Sequence, residues 1–114
     1  PEFFILPARQ PDSTSPLLGY PVLIKENKFF TRRELQIYLE TNLIQTRTVF
    51  TGNILRQPAF ADIKCLGEKD DFKNSDYVMK NGILIGCHNG LSNTDVEYVK
   101  DVIYTFLKKR LLVS

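Results

Sequence analysis

The sequence predicts a single α+β domain, in which helices pack on a small mixed β-sheet. Short apolar runs bounded by glycine and polar residues alternate with two segments that carry helix N-terminal signals. The length of 114 residues fits one core, and a hydrophobic content of 43 % is ample to form it. We therefore expect one domain over residues 1–114, with an opening segment and linker over 1–19 and an α+β core over 20–114.

The first half of the chain is predicted to contain two strands and one helix. Prolines, serines and a glycine crowd residues 7–19, which indicates an exposed connector after a strand-like opening. A short apolar run within 20–26 predicts a buried strand. Thr31 and Glu34 have the spacing of a capping box, so a helix is expected to follow. Alternating polar and apolar residues over 44–50 predict the second strand.

The second half is predicted to contain a loop, two helices and a strand. Residues 51–61 lack periodicity and are expected to form a loop that ends in one helical turn. Asn74 is placed to cap a short helix, and the apolar run 83–85 predicts a third strand. Ser92 and Asp95 form a second capping box, and apolar residues at steps of three and four then predict the clearest helix of the chain.

Composition argues against several function classes. Fifteen basic and 13 acidic residues give a net charge of +2, which is too weak to indicate a nucleic acid or an anionic membrane as partner. No apolar run approaches the roughly 20 residues that span a bilayer. Cys65 and Cys87 lack the spacing of a disulfide scaffold, so we expect small buried residues in a cytoplasmic protein. One histidine and two separated cysteines do not predict a metal site.

Polar side chains suited to ligand binding are concentrated where the second predicted strand ends. Arg47, Asn53, Arg56 and Gln57 place two guanidinium groups and two amides in one short stretch. Such groups suit phosphate or hydroxyl recognition, because arginine presents a rigid donor fork and an amide both donates and accepts. An ordinary polar loop with surface ion pairs accounts for the pattern as well. His88, which follows a buried strand at a turn, is either a ligand contact or a cap for local backbone groups.

Four motifs span this stretch and the third strand. They are Ile44-Gln45-Thr46-Arg47, Phe50-Thr51-Gly52-Asn53, Arg56-Gln57-Pro58 and the run GILIGCHNGL over 82–91. Together they resemble the C-terminal region of the DegT/DnrJ/EryC1/StrS sugar aminotransferase family, most closely its sugar-nucleotide 3-dehydrase branch. The resemblance covers nearly the whole chain. It implies the C-terminal small domain of a fold-type I pyridoxal-phosphate-dependent transferase, with a role in deoxysugar and lipopolysaccharide O-antigen biosynthesis.

The resemblance also implies a cofactor and partners for the full-length enzyme. A large domain of the same polypeptide would hold pyridoxal phosphate or pyridoxamine phosphate, whose electron sink eases loss of the sugar 3-hydroxyl. The enzyme would be a homodimer acting on a nucleotide-activated 4-keto-6-deoxy sugar, with a reductase as a candidate partner. By motif, the substrate side of the cleft would include Arg47, Asn53, Arg56, Gln57 and His88.

On this reading, no bound cofactor and no catalytic residue are expected in this chain alone. Two further functions remain open as alternatives to the dehydrase. One is the same domain in a sugar-nucleotide aminotransferase, and the other is a non-catalytic module that binds a nucleotide sugar. A structural interaction domain is a third option, in which Arg47 and Arg56 would point to solvent, apart from each other.

Overall fold

The computed structural model describes residues 2–8, 11, 12, 14 and 17–112, and these residues form a four-stranded sheet with three α-helices. The strands are β1 Phe4–Ile5, β2 Tyr20–Ile24, β3 Thr46–Thr48 and β4 Gly82–Ile85. The helices are α1 Arg32–Thr41, α2 Lys73–Asn81 and α3 Asn93–Leu112. Short 3-10 helices occupy Ile54–Arg56, Pro58–Phe60 and Lys69–Asp71. The predicted α+β class is confirmed, whereas part of the predicted connector over 7–19 lies outside the described residues.

Every neighbouring pair of described strands is antiparallel, in the order β1, β2, β4, β3. The mixed sheet expected from the succession of strand, helix and strand is therefore not what forms. Strands β2 and β3 do run in the same direction, because both are antiparallel to β4. Strand β4 lies between them, so each strand pairs only with a neighbour of opposite direction.

One face of the sheet forms the core with α1 and α3. Register pairs Val22 with Ile83, and alternation along the strands places Ile24 and Ile85 on the same face. All four are buried, and the core also includes Phe3, Phe30, Leu35, Leu39, Ile44, Val102 and Phe106. The Phe106 ring lies 5.1 Å from the rings of both Phe30 and Tyr38, which ties α3 to α1.

The opposite face is covered by α2 at one end only. A Cβ atom added at Gly82 would lie 2.6 Å from the Val78 carbonyl oxygen and 2.8 Å from Val49 Cγ2, so close packing of α2 on β4 requires glycine there. The Tyr77 hydroxyl of α2 donates to the Ile24 carbonyl at 3.1 Å. The other end of this face, towards the end of β4, is left open and becomes the site described below.

Both predicted capping boxes are present at the starts of α1 and α3. The Thr31 backbone amide donates to Glu34 Oε2 at 2.8 Å, and the Glu34 amide donates back to Thr31 Oγ1 at 3.3 Å. Ser92 and Asp95 make the same reciprocal pair at 2.8 and 3.2 Å. Short-range side-chain signals therefore fix where these two helices begin.

The prediction that Asn74 caps α2 is wrong. The helix begins at Lys73, and its N-cap position is Phe72, which has no side-chain cap bond. The Phe72 carbonyl already accepts from the Asp76 amide at 3.1 Å, so the first turn closes before Asn74 can serve as the cap.

The prediction that both cysteines are buried is also wrong. Cys65 is exposed in a stretch over 61–68 that is exposed throughout, so no apolar element covers it. Cys87 is half-buried, and its Sγ contacts the Leu17 carbonyl at 3.3 Å. Within the described part of the chain, the structure contains no helix of the length and apolarity needed to cross a membrane.

Candidate functional site

An open cavity of about 1230 Å³ lies at the end of the sheet where β4 ends and where β2 and β3 begin. Its apolar wall includes Leu18, Pro21, Phe50, Leu84 and Leu91, and its polar groups include Gln45, Arg47, His88, Asp95 and Tyr98. A concave, mostly apolar surface with a few convergent polar groups is the usual form of a small-molecule site.

Strand register places Arg47 in this cavity. Arg47 lies opposite Leu84 in the β3–β4 pair, on the face that alternation turns away from the core. Its guanidinium has no hydrogen-bond or ion-pair partner among the residues that the structure describes, and the residue is exposed. All five N–H donors of the side chain are therefore available to a ligand.

His88 enters the cavity from the loop after β4. Its Nδ1 accepts from the Gly90 backbone amide at 3.1 Å. Because Nδ1 is the acceptor, the proton of the neutral ring is assigned to Nε2, which can donate to a ligand. A Cβ atom at residue 90 would approach Nδ1 to 3.1 Å, so glycine permits this turn. His88 thus serves as a local cap and also lines the cavity.

Asp95 is the carboxylate among the described cavity-lining residues, and the capping box at the start of α3 already engages it. The Ser92 hydroxyl and amide both donate to Asp95 Oδ2, at 2.6 and 2.8 Å. These bonds lower the pKa of the Asp95 carboxyl, with a further contribution from the nearby His88. Asp95 is therefore a charged wall residue rather than a free acid or base.

Asn53, Arg56 and Gln57 are not among the residues that line this cavity; they lie in a second polar group beside α2. Asn53 is only 3 % exposed, and its Nδ2 donates to Asp76 Oδ1 at 2.7 Å while its Oδ1 accepts from the Leu55 amide at 3.0 Å. Gln57 Nε2 donates to the Thr51 carbonyl at 3.0 Å. Both amides are thus engaged within the chain.

Arg56 forms ion pairs with two carboxylates. Its Nε donates to Asp76 Oδ1 at 3.0 Å and its Nη2 to Asp76 Oδ2 at 2.7 Å, while Nη2 also lies 2.9 Å from Asp70 Oδ1. The bonds from Arg56 and then from Asn53 lower the pKa of Asp76 to about 2, and the same carboxylates raise the pKa of Arg56. We refer to Asn53, Arg56, Asp70 and Asp76 as the Asp76 cluster.

The five predicted site residues therefore fall into two groups. Arg47 and His88 share one cavity, whereas Asn53, Arg56 and Gln57 bond to other parts of the chain. Sequence reasoning did not find Asp76, because the residue that it binds is 20 positions away and no local motif joins them. The alternative of a polar loop with surface ion pairs, which the sequence left open, describes Arg56 correctly but does not name its partner.

Comparison with known proteins identifies the family. Residues 1–104 match the model of the DegT/DnrJ/EryC1/StrS aminotransferase family. This chain belongs to the DegT/DnrJ/EryC1/StrS family. The resemblance drawn from its motifs is confirmed, because the match covers most of the chain.

Two curated relatives in the DegT/DnrJ/EryC1/StrS family match most of the chain. The chain is 36 % identical over 100 residues to the lipopolysaccharide biosynthesis protein RfbH of Salmonella typhimurium, covering 86 % of this chain and 22 % of that protein. It is 33 % identical over 105 residues to the dTDP-4-dehydro-2,6-dideoxy-D-glucose 3-dehydratase of Saccharopolyspora spinosa, covering 92 % and 22 %. The chain thus spans about a fifth of these relatives and matches their C-terminal part.

Solved structures share the fold. An E. coli GDP-4-keto-6-deoxy-D-mannose-3-dehydratase with bound hydrated PLP superposes with a TM-score of 0.73 at 23 % identity, over 88 % of this chain and 25 % of that chain. A putative sugar aminotransferase from Streptococcus pneumoniae gives a TM-score of 0.66 at 16 % identity, over 83 % and 23 %. The fold of this chain therefore recurs in part of a dehydratase chain and in part of a putative aminotransferase chain.

Proposed function

We propose that this chain is the C-terminal domain of a pyridoxal- or pyridoxamine-phosphate-dependent sugar-nucleotide 3-dehydrase. The full-length enzyme would remove the 3-hydroxyl of a nucleotide-activated 4-keto-6-deoxyhexose in lipopolysaccharide O-antigen biosynthesis. The observation that carries this proposal is the identity of 33–36 % with RfbH and with a named sugar 3-dehydratase, over 86 to 92 % of the chain. The domain would not be catalytic alone.

The cavity-lining residues do not fit the cofactor by themselves. A pyridoxal phosphate site of the usual kind combines a lysine at the reactive carbon with a partner for the ring nitrogen. Lysine does not occur among the described residues of the cavity wall, and Asp95 is engaged by Ser92. We therefore assign the cofactor to the large domain of the same polypeptide.

Arg47 and His88 are the groups of this chain that we assign to the substrate. The Arg47 guanidinium presents a planar donor fork that matches phosphate oxygens, and no described carboxylate competes for it. Nε2 of His88 would donate to a sugar hydroxyl or a phosphate oxygen. Asn53, Arg56 and Gln57 stay predicted substrate-side residues, and their bonds within the chain favour an indirect contribution.

We also propose a homodimeric full-length enzyme with a reductase partner, located in the cytoplasm. The dimer and the reductase rest on the family resemblance. The location is supported by the two unpaired cysteines, Cys65 and Cys87, which suit a reducing compartment.

The proposal is tested on the full-length protein that contains this chain. The protein is loaded with pyridoxamine phosphate and incubated with CDP-, dTDP- and GDP-linked 4-keto-6-deoxyhexoses, with and without an added reductase and its electron donor, and the products are analysed by mass spectrometry. We expect a product that has lost the 3-oxygen. Transfer of nitrogen to the sugar would identify an aminotransferase, the second candidate favoured by the shared fold with a putative sugar aminotransferase. Binding without any product would identify a binding module instead.

A further inference from the structure

We infer that Asp76 is a positioning residue for the substrate cavity, because it fixes the segment 49–57 through Asn53 and Arg56. This segment, which we call the edge loop, follows β3 and Arg47 and contains Asn53 and Arg56, the two residues that bond to Asp76. The inference rests on the proposed function for what the cavity binds. It assigns a role to a residue that neither the sequence motifs nor the comparisons single out.

Both carboxylate oxygens of Asp76 are used by the edge loop. Oδ1 accepts from Asn53 Nδ2 at 2.7 Å and from Arg56 Nε at 3.0 Å, and Oδ2 accepts from Arg56 Nη2 at 2.7 Å. The paired contact with Arg56 has the two-bond geometry that fixes orientation as well as distance. Asn53 is buried, so its amide has no water to replace Asp76 if that partner is lost.

The edge loop has a shape that needs such support. Phe50 has φ +48 and Gly52 has φ +68, which are left-handed backbone conformations, and the first is unfavourable for a bulky residue. A Cβ atom at Gly52 would lie 2.4 Å from Met79 Cβ, so the loop backbone rests directly on α2. The same helix carries Asp76, and α2 therefore holds the edge loop at two separate points.

The edge loop forms part of the cavity wall. Val49 and Phe50 line the cavity together with Arg47, which lies two residues earlier on β3. The Phe50 side chain is 75 % exposed, so core packing does not keep it in place. If Asp76 no longer held the loop, the wall and the strand end beside Arg47 would have several arrangements, and productive binding would be rarer.

The carboxylates around Arg56 disfavour a direct contact between Arg56 and an anionic substrate. Its single positive charge faces two carboxylates, Asp70 and Asp76, within 2.9 Å. A phosphate approaching Arg56 would meet a net negative pair of partners, whereas Arg47 has no described carboxylate partner. Arg56 is therefore expected to act through Asp76 and the edge loop.

A double-mutant cycle in the full-length enzyme tests whether Asp76 and Arg56 act as one unit. Asp76→Asn keeps the shape but presents an N–H group to donors of Arg56 or Asn53, and Arg56→Met removes the donor fork. We expect each variant to raise KM for the nucleotide sugar about ten-fold, with kcat within about two-fold, and the double variant to add nothing further. Asp62→Asn removes an exposed carboxylate outside the cluster and should leave both constants unchanged. Independent losses that multiply to about a hundred-fold would show that Asp76 and Arg56 do not act through one another and would overturn the inference.

Hydrogen exchange in the same full-length variants provides a readout that does not require turnover. The amides of Gly52, Leu55, Arg56 and Gln57 are hydrogen-bonded within the edge loop. Asp76→Asn should raise their exchange rates about ten-fold while the thermal midpoint of the whole protein stays nearly constant. Unchanged exchange there would reject the positioning role even in an active enzyme. A wild-type protein without dehydrase turnover would reject the proposed function, and the exchange result would still decide whether Asp76 holds the loop.

Discussion

Arg47 in β3 and Arg56 in the edge loop show that two arginines close in sequence can have different roles. Arg56 forms ion pairs with two carboxylates, whereas the Arg47 guanidinium is unpartnered among the described residues and faces a cavity. An arginine whose charge is already paired with two carboxylates gains little by binding a further anion, because the anion is repelled by those carboxylates or must replace one of them. The number of N–H donors left without a described protein partner, rather than the residue type, is the reason for proposing Arg47 as the phosphate contact.

Arg47→Ala in the full-length protein should raise KM for the nucleotide sugar about ten-fold or more. The loss follows from removing a charge-assisted contact that the structure leaves unsatisfied by protein groups. Arg47→Lys should restore only part of the affinity, since an ammonium cannot present the planar fork. Steady-state kinetics checks both variants, with Arg33→Ala as the control because Arg33 is an exposed cation of α1 outside the cavity wall. Equal KM values for Arg47→Ala and wild type would remove Arg47 from the site.

At the scale of elements, the helix starts depend on side chains only three residues apart. Thr31 caps α1, and its partner Glu34 also lies 2.9 Å from Arg110 near the end of α3. Thr31→Ala should lower the free energy of unfolding by about 1 kcal/mol, the usual cost of a lost N-cap. Thr31→Ser keeps the hydroxyl and should retain most of that stability. Urea unfolding of the two variants checks the difference, and equal losses would show that the cap is not what stabilises the helix start.

The sequence predicted features that depend on near neighbours and missed those that depend on distant ones. The capping boxes at Thr31 and Ser92 were predicted because both partners lie within one turn. The insertion of β4 between β2 and β3 could not be predicted, because strand order depends on pairing across the whole chain. The same holds for Asn53: its type suggested a ligand contact, but only the packing of α2 against the edge loop reveals its bond to Asp76.

Across the whole molecule, the cavity and the core are largely separate. Among the buried core residues that the structure describes, only Ile44 and Ile85 also line the cavity. Variants at Arg47 or His88 should therefore change binding without unfolding the domain, since both residues are exposed. The proposed binding surface lies at one end of the sheet, and α1 and α2 support that sheet without lining the cavity.

The pH dependence of the domain's stability in acid should be set by its hydrogen-bonded carboxylates. The pKa values of Glu34, Glu40, Asp76 and Asp95 are lowered in the folded state, each chiefly by hydrogen bonds, from ordinary values of 4.5 for Glu and 3.8 for Asp. A carboxyl whose pKa is lower when folded stabilises the fold above its unfolded pKa and loses that contribution as the pH falls through the folded one. Stability should thus be level above about pH 5 and fall steadily below it.

The expected loss of stability below about pH 5 can be tested at Glu40. Its carboxylate accepts hydrogen bonds from both the amide and the hydroxyl of Thr46 and so links α1 to β3. Glu40→Gln cannot titrate, so its thermal midpoint should fall less steeply than that of wild type between about pH 5 and pH 3. Asp62→Asn, at an exposed carboxylate with no described partner, should keep the full wild-type slope. Scanning calorimetry across this range measures all three proteins. A wild-type midpoint that stays constant down to about pH 3 would contradict the prediction. It would mean that the folded and unfolded chains take up protons equally, so the native hydrogen bonds would not lower the pKa values of these carboxyls.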